Sequence, residues 1–283
     1  MTATGLLARA GAEAVVPEQV PAYVCAVAGS TPRMIGSCVG YEAAGHLVIV
    51  GYPMHDPQDQ VAMAAAVDDA LRLPGSARIT VIGPARPAQA PAASPDHKDH
   101  YLSLPVPPPP PGQKLRNLLR RSGRDLTIEC GRQCTPEHMA LVQRYLKERE
   151  LAAGTRHIFQ QLPRYIEASA GSLIVSARRA DRRLAAFAVG EFASRHTAMY
   201  MFCFRSHELA PPGSADLLLA ELLKQARQRG QTRMNLGLAV NAGIGFFKRK
   251  WDAEQYLPYV EVSWDIKRLP LMARLGRMLG LAV

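Results

Sequence analysis

The feature that most limits what this 283-residue chain can fold into is an order of elements that occurs twice. Residues 172–177, 184–192 and 197–204 are three apolar runs of strand length. An amphipathic helix follows over 214–229, then a fourth strand over 233–237. Upstream, 23–27, 34–41 and 46–50 have the same strand character, with a helix over 57–73 and a strand over 78–82. The two helices carry the argument. Ala215, Leu218, Leu219, Leu222, Leu223 and Ala226 recur on one helical face, and so do Met63, Ala66, Val67, Ala70 and Leu71. Gly230 ends the one, and Pro74-Gly75 stops the other. Two further strand-like runs are expected to close the sheets: 101–104 the first, 259–264 the second.

Between the halves, residues 102–112 contain six prolines, Pro105 and Pro107 to Pro111. Proline donates no ladder hydrogen bond, so this run is stiff and extended. It reads as a connector, with an SH3-type ligand as the alternative. The chain therefore divides into 1–106, a linker with a basic helix over 107–125, and 126–283. The second half opens with two helices. Thr135-Pro136-Glu137 is a helix start, with the helix running to about residue 150, and a shorter helix spans 158–168. The first half has one candidate opening helix, over 6–13, and reads as a reduced copy.

An apolar fraction of 48% fits a globular protein with a sizeable core. No run of 18 apolar residues occurs, so no transmembrane helix is expected. The first residues lack a secretory pattern, and the expected location is the cytoplasm. The cysteines Cys25, Cys38, Cys130, Cys134 and Cys203 are odd in number, and no second pair accompanies Cys130 and Cys134; no metal site is expected. The formal charge of +10 favours an anionic partner such as RNA, a phosphate-bearing cofactor or an acidic membrane surface. A solvated basic surface explains the charge equally well. Residues 266–283 mix apolar side chains with Lys267, Arg268, Arg274 and Arg277. That tail either lies on an anionic membrane, peripheral to its inner face, or folds back on the protein.

The sharpest motif begins at Asn235. A strand end and a glycine-containing loop lead into a short helix that ends Phe247-Lys248-Arg249-Lys250-Trp251, and a closing strand follows. This succession resembles the end of an acyltransferase fold of the GNAT type, in the branch of the Fem peptidyltransferases and the phosphatidylglycerol lysyltransferases. The resemblance covers residues 114–264. It implies an α+β fold of tandem GNAT-like mixed sheets flanked by helices, each sheet prised open beside one helix tip. It also implies an acyl- or aminoacyltransferase that holds no cofactor tightly. The donor would be aminoacyl-tRNA and the acceptor an amine or hydroxyl on a small molecule, lipid or peptide. Two alternatives stand beside it: an N-acyltransferase that uses acyl-coenzyme A, and a non-catalytic GNAT-like protein that binds RNA or a membrane surface. Oligomeric state is not legible.

The resemblance and the residue chemistry together nominate a site. Lys248 points to the cleft, where a cation would stabilise a developing oxyanion or a substrate carboxylate. Glu191, at the end of the second strand, and His207, before the helix loop, are candidate bases. Asn235, Asn241, Trp251 and Tyr200 form the expected substrate-binding set. Gly213, Ser214 and Ala215 open the helix whose N–H groups hold a pyrophosphate in acetyltransferases. Here the glycine-rich loop is missing and Asp216 adds a negative charge, so the alternative is that Ser214 caps the helix and Asp216 complements its dipole. Arg116 and Arg120 belong to the basic helix over 114–124, which carries five cations and no acid and suits a phosphate-bearing donor.

Overall fold

A computed structural model describes residues 3–266. The first part comprises α1 (Ala3–Ala12), a 3-10 turn (Pro17–Gln19), α2 (Pro21–Ala28), β1 (Thr31–Ile35), β2 (Cys38–Ala43), β3 (His46–Val50), α3 (Gln60–Arg72), β4 (Arg78–Gly83) and β5 (Asp96–Pro105). Then come α4 (Gln113–Asp125), β6 (Thr127–Gly131), α5 (Pro136–Glu148), α6 (Ala153–Gln160), α7 (Leu162–Ala168), β7 (Ser172–Arg178), β8 (Leu184–Glu191) and β9 (Thr197–Arg205). The chain continues through α8 (Ser214–Gln228), β10 (Arg233–Leu238), α9 (Ala242–Lys250) and β11 (Glu254–Asp265). Lys267, Arg268, Arg274 and Arg277, on which the membrane reading of the tail rested, lie outside the described residues.

All eleven strands of the described residues join one mixed sheet, in the order β1-β2-β3-β4-β11-β5-β10-β9-β8-β7-β6. The closing strands are exchanged relative to expectation. β11, from the chain's end, pairs with β4 of the first half, and β5 pairs with β10 of the second. The two exchanged strands then pair with each other along most of their length, from Glu254↔Ser103 to Val262↔Asp96. An edge left after β4 and another after β10 would each expose a row of unpaired backbone groups. Exchange covers both and fuses the halves.

Three tyrosines seal the fused region. Tyr52, Tyr101 and Tyr259 meet edge-on, with ring centroids 5.7–6.0 Å apart. Each buried hydroxyl finds an acceptor: the Pro258 carbonyl at 2.7 Å for Tyr52, Glu18 at 2.8 Å for Tyr101, and Glu261 at 2.5 Å for Tyr259. Buried phenols need such partners.

The amphipathic helices lie where their periodicity requires. α8 buries Leu218, Leu219, Leu222, Leu223 and Ala226 against β7, β8 and β9. α3 buries Met63, Ala66, Val67 and Ala70 against the first half of the same sheet face. Its N-cap is Asp59, whose carboxylate accepts from the N–H groups of Val61 and Ala62 at 3.0 Å, so the helix begins later than residue 57. The opposite face is covered by α1 and α2 in the first half and by α5, α6 and α7 in the second.

Four local expectations change. Residues 23–27 are helical: Pro21 sits in the first turn and Gly29, at φ +61°, closes α2, so the apolar run is a buried helix. Residues 34–41 are two strands, because Gly36 at φ +55° turns β1 back into β2. The stretch 158–168 is broken at Gln161 into α6 and α7, where Pro163 lies in the first turn of the second helix. The edge strand β6 is an addition to the expected elements; it is five residues long and only partly buried, too short for its alternation to stand out.

Cutting the chain after Asp252 removes β11 and bares β4 and β5 together. Such a truncation is expected to abolish a single cooperative thermal transition in both halves. Differential scanning calorimetry checks this; an unchanged transition would mean that the halves fold independently.

Candidate active site

The site is built around a place where two strands part. β9 and β10 pair in parallel only from Arg233↔Thr197 to Asn235↔Met199. Beyond that, β9 runs on to Arg205 with β8, while β10 bulges away. Asn235 makes the bulge. Its fully buried side-chain carbonyl accepts the Gly237 N–H at 2.7 Å, and Gly237 takes φ +76°. Its amide nitrogen donates to the Val15 carbonyl at 2.8 Å. The predicted opening is therefore present in the second half. In the first half the corresponding pair β3 and β4 stays in register through all five residues, His46↔Arg78 to Val50↔Ile82, so no opening exists there.

One side of the opening is filled from the chain's beginning. Ala14 and Val20 are buried with Met199 of β9, and Val16 clusters with Tyr101, Leu257 and Leu238. Gln19 holds this segment in place by donating to the Tyr52 carbonyl at 2.7 Å and accepting from the Val15 N–H at 2.8 Å. None of this was legible in sequence, because the segment carries no periodic signal.

α9 crosses the top of the opening. Asn241 is its N-cap and accepts the Ile244 N–H at 3.0 Å. Phe247 stacks on Tyr200 of β9 at 6.1 Å. At its far end α9 is tied to the first turn of α8 through Asp216. That carboxylate accepts the Trp251 indole N–H at 2.9 Å and pairs with the Lys250 ammonium at 2.6 Å, with its own side chain 4% exposed. Asp216 therefore does more than complement a helix dipole: it is the buried acid that seats the Phe-Lys-Arg-Lys-Trp helix.

Seating α9 buries Lys248, which is 3% exposed. Its ammonium donates to the Leu238 carbonyl at 2.6 Å, the one hydrogen bond it makes among the described residues. A side chain at Gly237 would reach to 3.8 Å of this nitrogen, so the amine lies directly under the bulge. Burial lowers its pKa to about 7, with Asp99 of β5 acting in the opposite direction. A lysine near neutrality of charge at ordinary pH can exchange a proton with a substrate.

The tip of α8 is packed against α4. Its N-cap is Gly213 at φ +92°, not Ser214. Ser214 turns its hydroxyl to the Pro211 carbonyl at 2.6 Å, and its own N–H faces the same carbonyl at 3.2 Å. Leu118 of α4 packs over Gly213 so closely that a Cβ there would lie 2.7 Å from it. Ala215 follows in the same turn, with the buried Asp216 charge beside it. α4 rests on α8 through Leu115, Leu118 and Leu119. This turns Lys114, Arg116, Arg120, Arg121 and Arg124 to solvent, and none of the five has an ion-pair partner among the described residues. Arg120 also donates to Asn117.

Two nominated bases lie elsewhere. Glu191 is 1% exposed and accepts four hydrogen bonds: Tyr165 at 2.8 Å, Ser169 at 2.6 Å, and the Phe192 and Ala193 N–H groups at 3.0 Å each. Its oxygens are occupied in holding the turn after β8. His207 is exposed on the loop after β9, 3.6 Å from Glu148 at the end of α5. Neither is brought to Lys248 by any contact in the described residues. The structure adds exposed apolar side chains around the start of α9: Val240 at 74%, Phe246 at 65% and Ile244 at 38% exposure.

The family described as phosphatidylglycerol lysyltransferase, C-terminal, matches residues 110–281, more than half of the chain. No curated protein matches. Among solved structures, FemX aligns with a TM-score of 0.63 at 11% identity, covering 99% of this chain and 98% of its own. L-PGS from Bacillus licheniformis aligns with a TM-score of 0.56 at 15% identity, covering 94% and 96%. A tandem GNAT protein from the clavulanic acid biosynthesis pathway aligns with a TM-score of 0.50 at 13% identity, covering 84% and 81%. At these identities the likeness establishes the fold, a tandem GNAT-like α+β architecture, as the motif led one to expect.

Two stability measurements probe the site. Asp216→Asn leaves the Lys250 ammonium without its counter-charge and is expected to cost about 2 kcal/mol in urea unfolding. Lys248 has a folded pKa below its unfolded one, so between about pH 7 and the ordinary lysine value the unfolded chain holds more protons and stability rises with pH. Below pH 7 both states are protonated and this dependence ends. Lys248→Met should remove up to about 1.4 kcal/mol per pH unit of slope across that window.

Proposed function

The chain belongs to the family of phosphatidylglycerol lysyltransferase C-terminal domains, and on that premise we propose that it is an aminoacyltransferase. It takes its acyl group from aminoacyl-tRNA and passes it to an amine or hydroxyl. The observation that carries this reading is Lys248, buried beneath the β10 bulge and held near a pKa of 7.

The chemistry needs few groups. The acceptor's nitrogen or oxygen attacks the ester carbonyl carbon and forms a new bond, and the bond to the tRNA's terminal ribose oxygen breaks. As a neutral amine, Lys248 takes the proton released by the acceptor and returns it to the leaving ribose oxygen. Once protonated, it faces the oxyanion of the tetrahedral intermediate. Asn235 and Gly237 shape the bulge, and Tyr200 and Phe247 form an aromatic wall beside it.

Two features favour a tRNA donor over coenzyme A. The α8 tip is covered by Leu118 and flanked by the buried Asp216 charge, an unfavourable seat for a pyrophosphate. Next to it, α4 presents Arg116 and Arg120 within a surface of five cations that form no ion pair among the described residues, suited to several phosphates along a polynucleotide. The exposed side chains of Val240, Ile244 and Phe246 favour an acceptor with an apolar portion, such as a lipid. Among the described residues no helix is long and apolar enough to cross a membrane.

Incubating the protein with individually charged, radiolabelled tRNAs and with phosphatidylglycerol vesicles or amine-bearing peptides should move label to one acceptor. Lys248→Ala is expected to slow this at least about 100-fold while circular dichroism stays unchanged. Undiminished transfer would remove Lys248 from the mechanism. The wild-type rate should climb as pH rises through about 7, as the amine loses its proton. Arg116→Ala with Arg120→Ala should weaken charged-tRNA binding and reduce its salt dependence by about 0.7–0.9 in log–log slope per lost phosphate contact. Micromolar binding of acyl-coenzyme A without tRNA retention would transfer the case to an acyl-coenzyme A enzyme.

A further inference from the structure

The first half holds a cavity of ≈ 240 Å³ that the transferase site does not use. It lies between α2 and the face of the sheet formed by β2, β3 and β4. Its walls are Val24 of α2, Ala43 of β2, Val48 and Val50 of β3, and Ile82 of β4. Val24, Ala43, Val48 and Ile82 are only partly buried, although each faces the interior, because the cavity leaves them without neighbours.

One group in it points to a ligand. Tyr41 is 2% exposed, and its hydroxyl is buried without a hydrogen-bond partner. The tyrosines of the adjoining cluster, Tyr52, Tyr101 and Tyr259, all have theirs. An unpaired buried hydroxyl costs roughly 1–3 kcal/mol, so its persistence in a lined cavity calls for an external partner. Ala28 and Ser30, at the end of α2, and His46, at the start of β3, also line it, and Ala28 is exposed.

We propose that this cavity is a binding site for a medium-length alkyl chain carrying one uncharged hydroxyl, with the chain against Val24, Val48, Val50 and Ile82 and the hydroxyl on Tyr41. The head must be uncharged. Glu18, also at the cavity, has its pKa raised by burial, so these surroundings already disfavour a carboxylate and would disfavour an anionic head in the same way. An ammonium would exchange its hydration for a lining that is mostly carbon, with the Glu18 carboxyl already held by the Tyr101 hydroxyl. A hydroxyl both donates and accepts, which suits the Tyr41 hydroxyl in either direction. The site is separate from Lys248 and does not depend on the transferase reading.

The probe is 1-octanol, followed by amide chemical-shift changes in the whole protein, with octanoate and octylamine as comparisons. We expect saturable shifts confined to β2, β3, β4 and α2, and weaker binding of both charged probes. Tyr41→Phe should weaken octanol about fivefold, the loss of one hydrogen bond. Val48→Trp, which fills the cavity, should abolish binding; Ala43→Met serves the same end if the larger change prevents folding. Absence of shifts, binding unaltered in the filled variants, or tighter binding of either charged probe would each overturn the proposal. Lys248→Ala should bind octanol as the wild type does.

Discussion

β5 and β11 lie side by side at the middle of the sheet, each borrowed by the half of the chain to which it does not belong in sequence. Everything else rests on this exchange. A mixed sheet of eleven strands has interior edges that must all be paired, and β4 and β10 have no local partner to turn to. Because β11 is the last strand of the described chain, the first half reaches its final form only after the second half has been built. The tyrosine cluster at the exchange, with its three satisfied hydroxyls, leaves little freedom of register: a slip of one residue would turn Tyr101 and Tyr259 to the other face.

The exchange also sets the geometry of the site. β5 holds β10 on one side through Met234↔Leu104 and Asn235↔Ser103, so β10 cannot follow β9 when β9 continues with β8. The strands part, and Asn235 converts the parting into a defined bulge. α9 then spans the gap because Asp216 grips Trp251 and Lys250, and that grip drives Lys248 out of water. The lowered pKa of Lys248 is thus a consequence of packing several elements away: a salt bridge between α8 and α9 settles the protonation of an amine beneath β10.

Much of this was readable from residues. The faces of α3 and α8, the basic helix α4, the strands β7, β8 and β9 and the Phe-Lys-Arg-Lys-Trp helix follow from periodicity and caps. The errors have physical causes. A short apolar run such as 23–27 satisfies a strand and a buried helix alike, and only the flanking Pro21 and Gly29 separate them. Glu191 is a candidate base by its place at a strand end, and its surroundings are a separate matter that spacing does not encode. Four donors, from Tyr165, Ser169 and two backbone N–H groups, are gathered on it by residues up to 26 positions away. Asp216 looked like a dipole complement because its two partners are more than 30 residues distant.

The sequence by itself determined the local alphabet: which segments are helices, which face of each is apolar, where the cations gather, and the motif that ties the chain to its family. Those properties depend on neighbours three or four positions apart, and spacing along the chain encodes them. Only the tertiary structure decided which strand closes which half, that Ala14 and Val20 fill the wedge beside β9, and that Lys248 is deprived of water. Strand partnership is chosen by edges that are empty once the rest has folded, and a pKa by the solvent that packing removes. Neither quantity has a local signature.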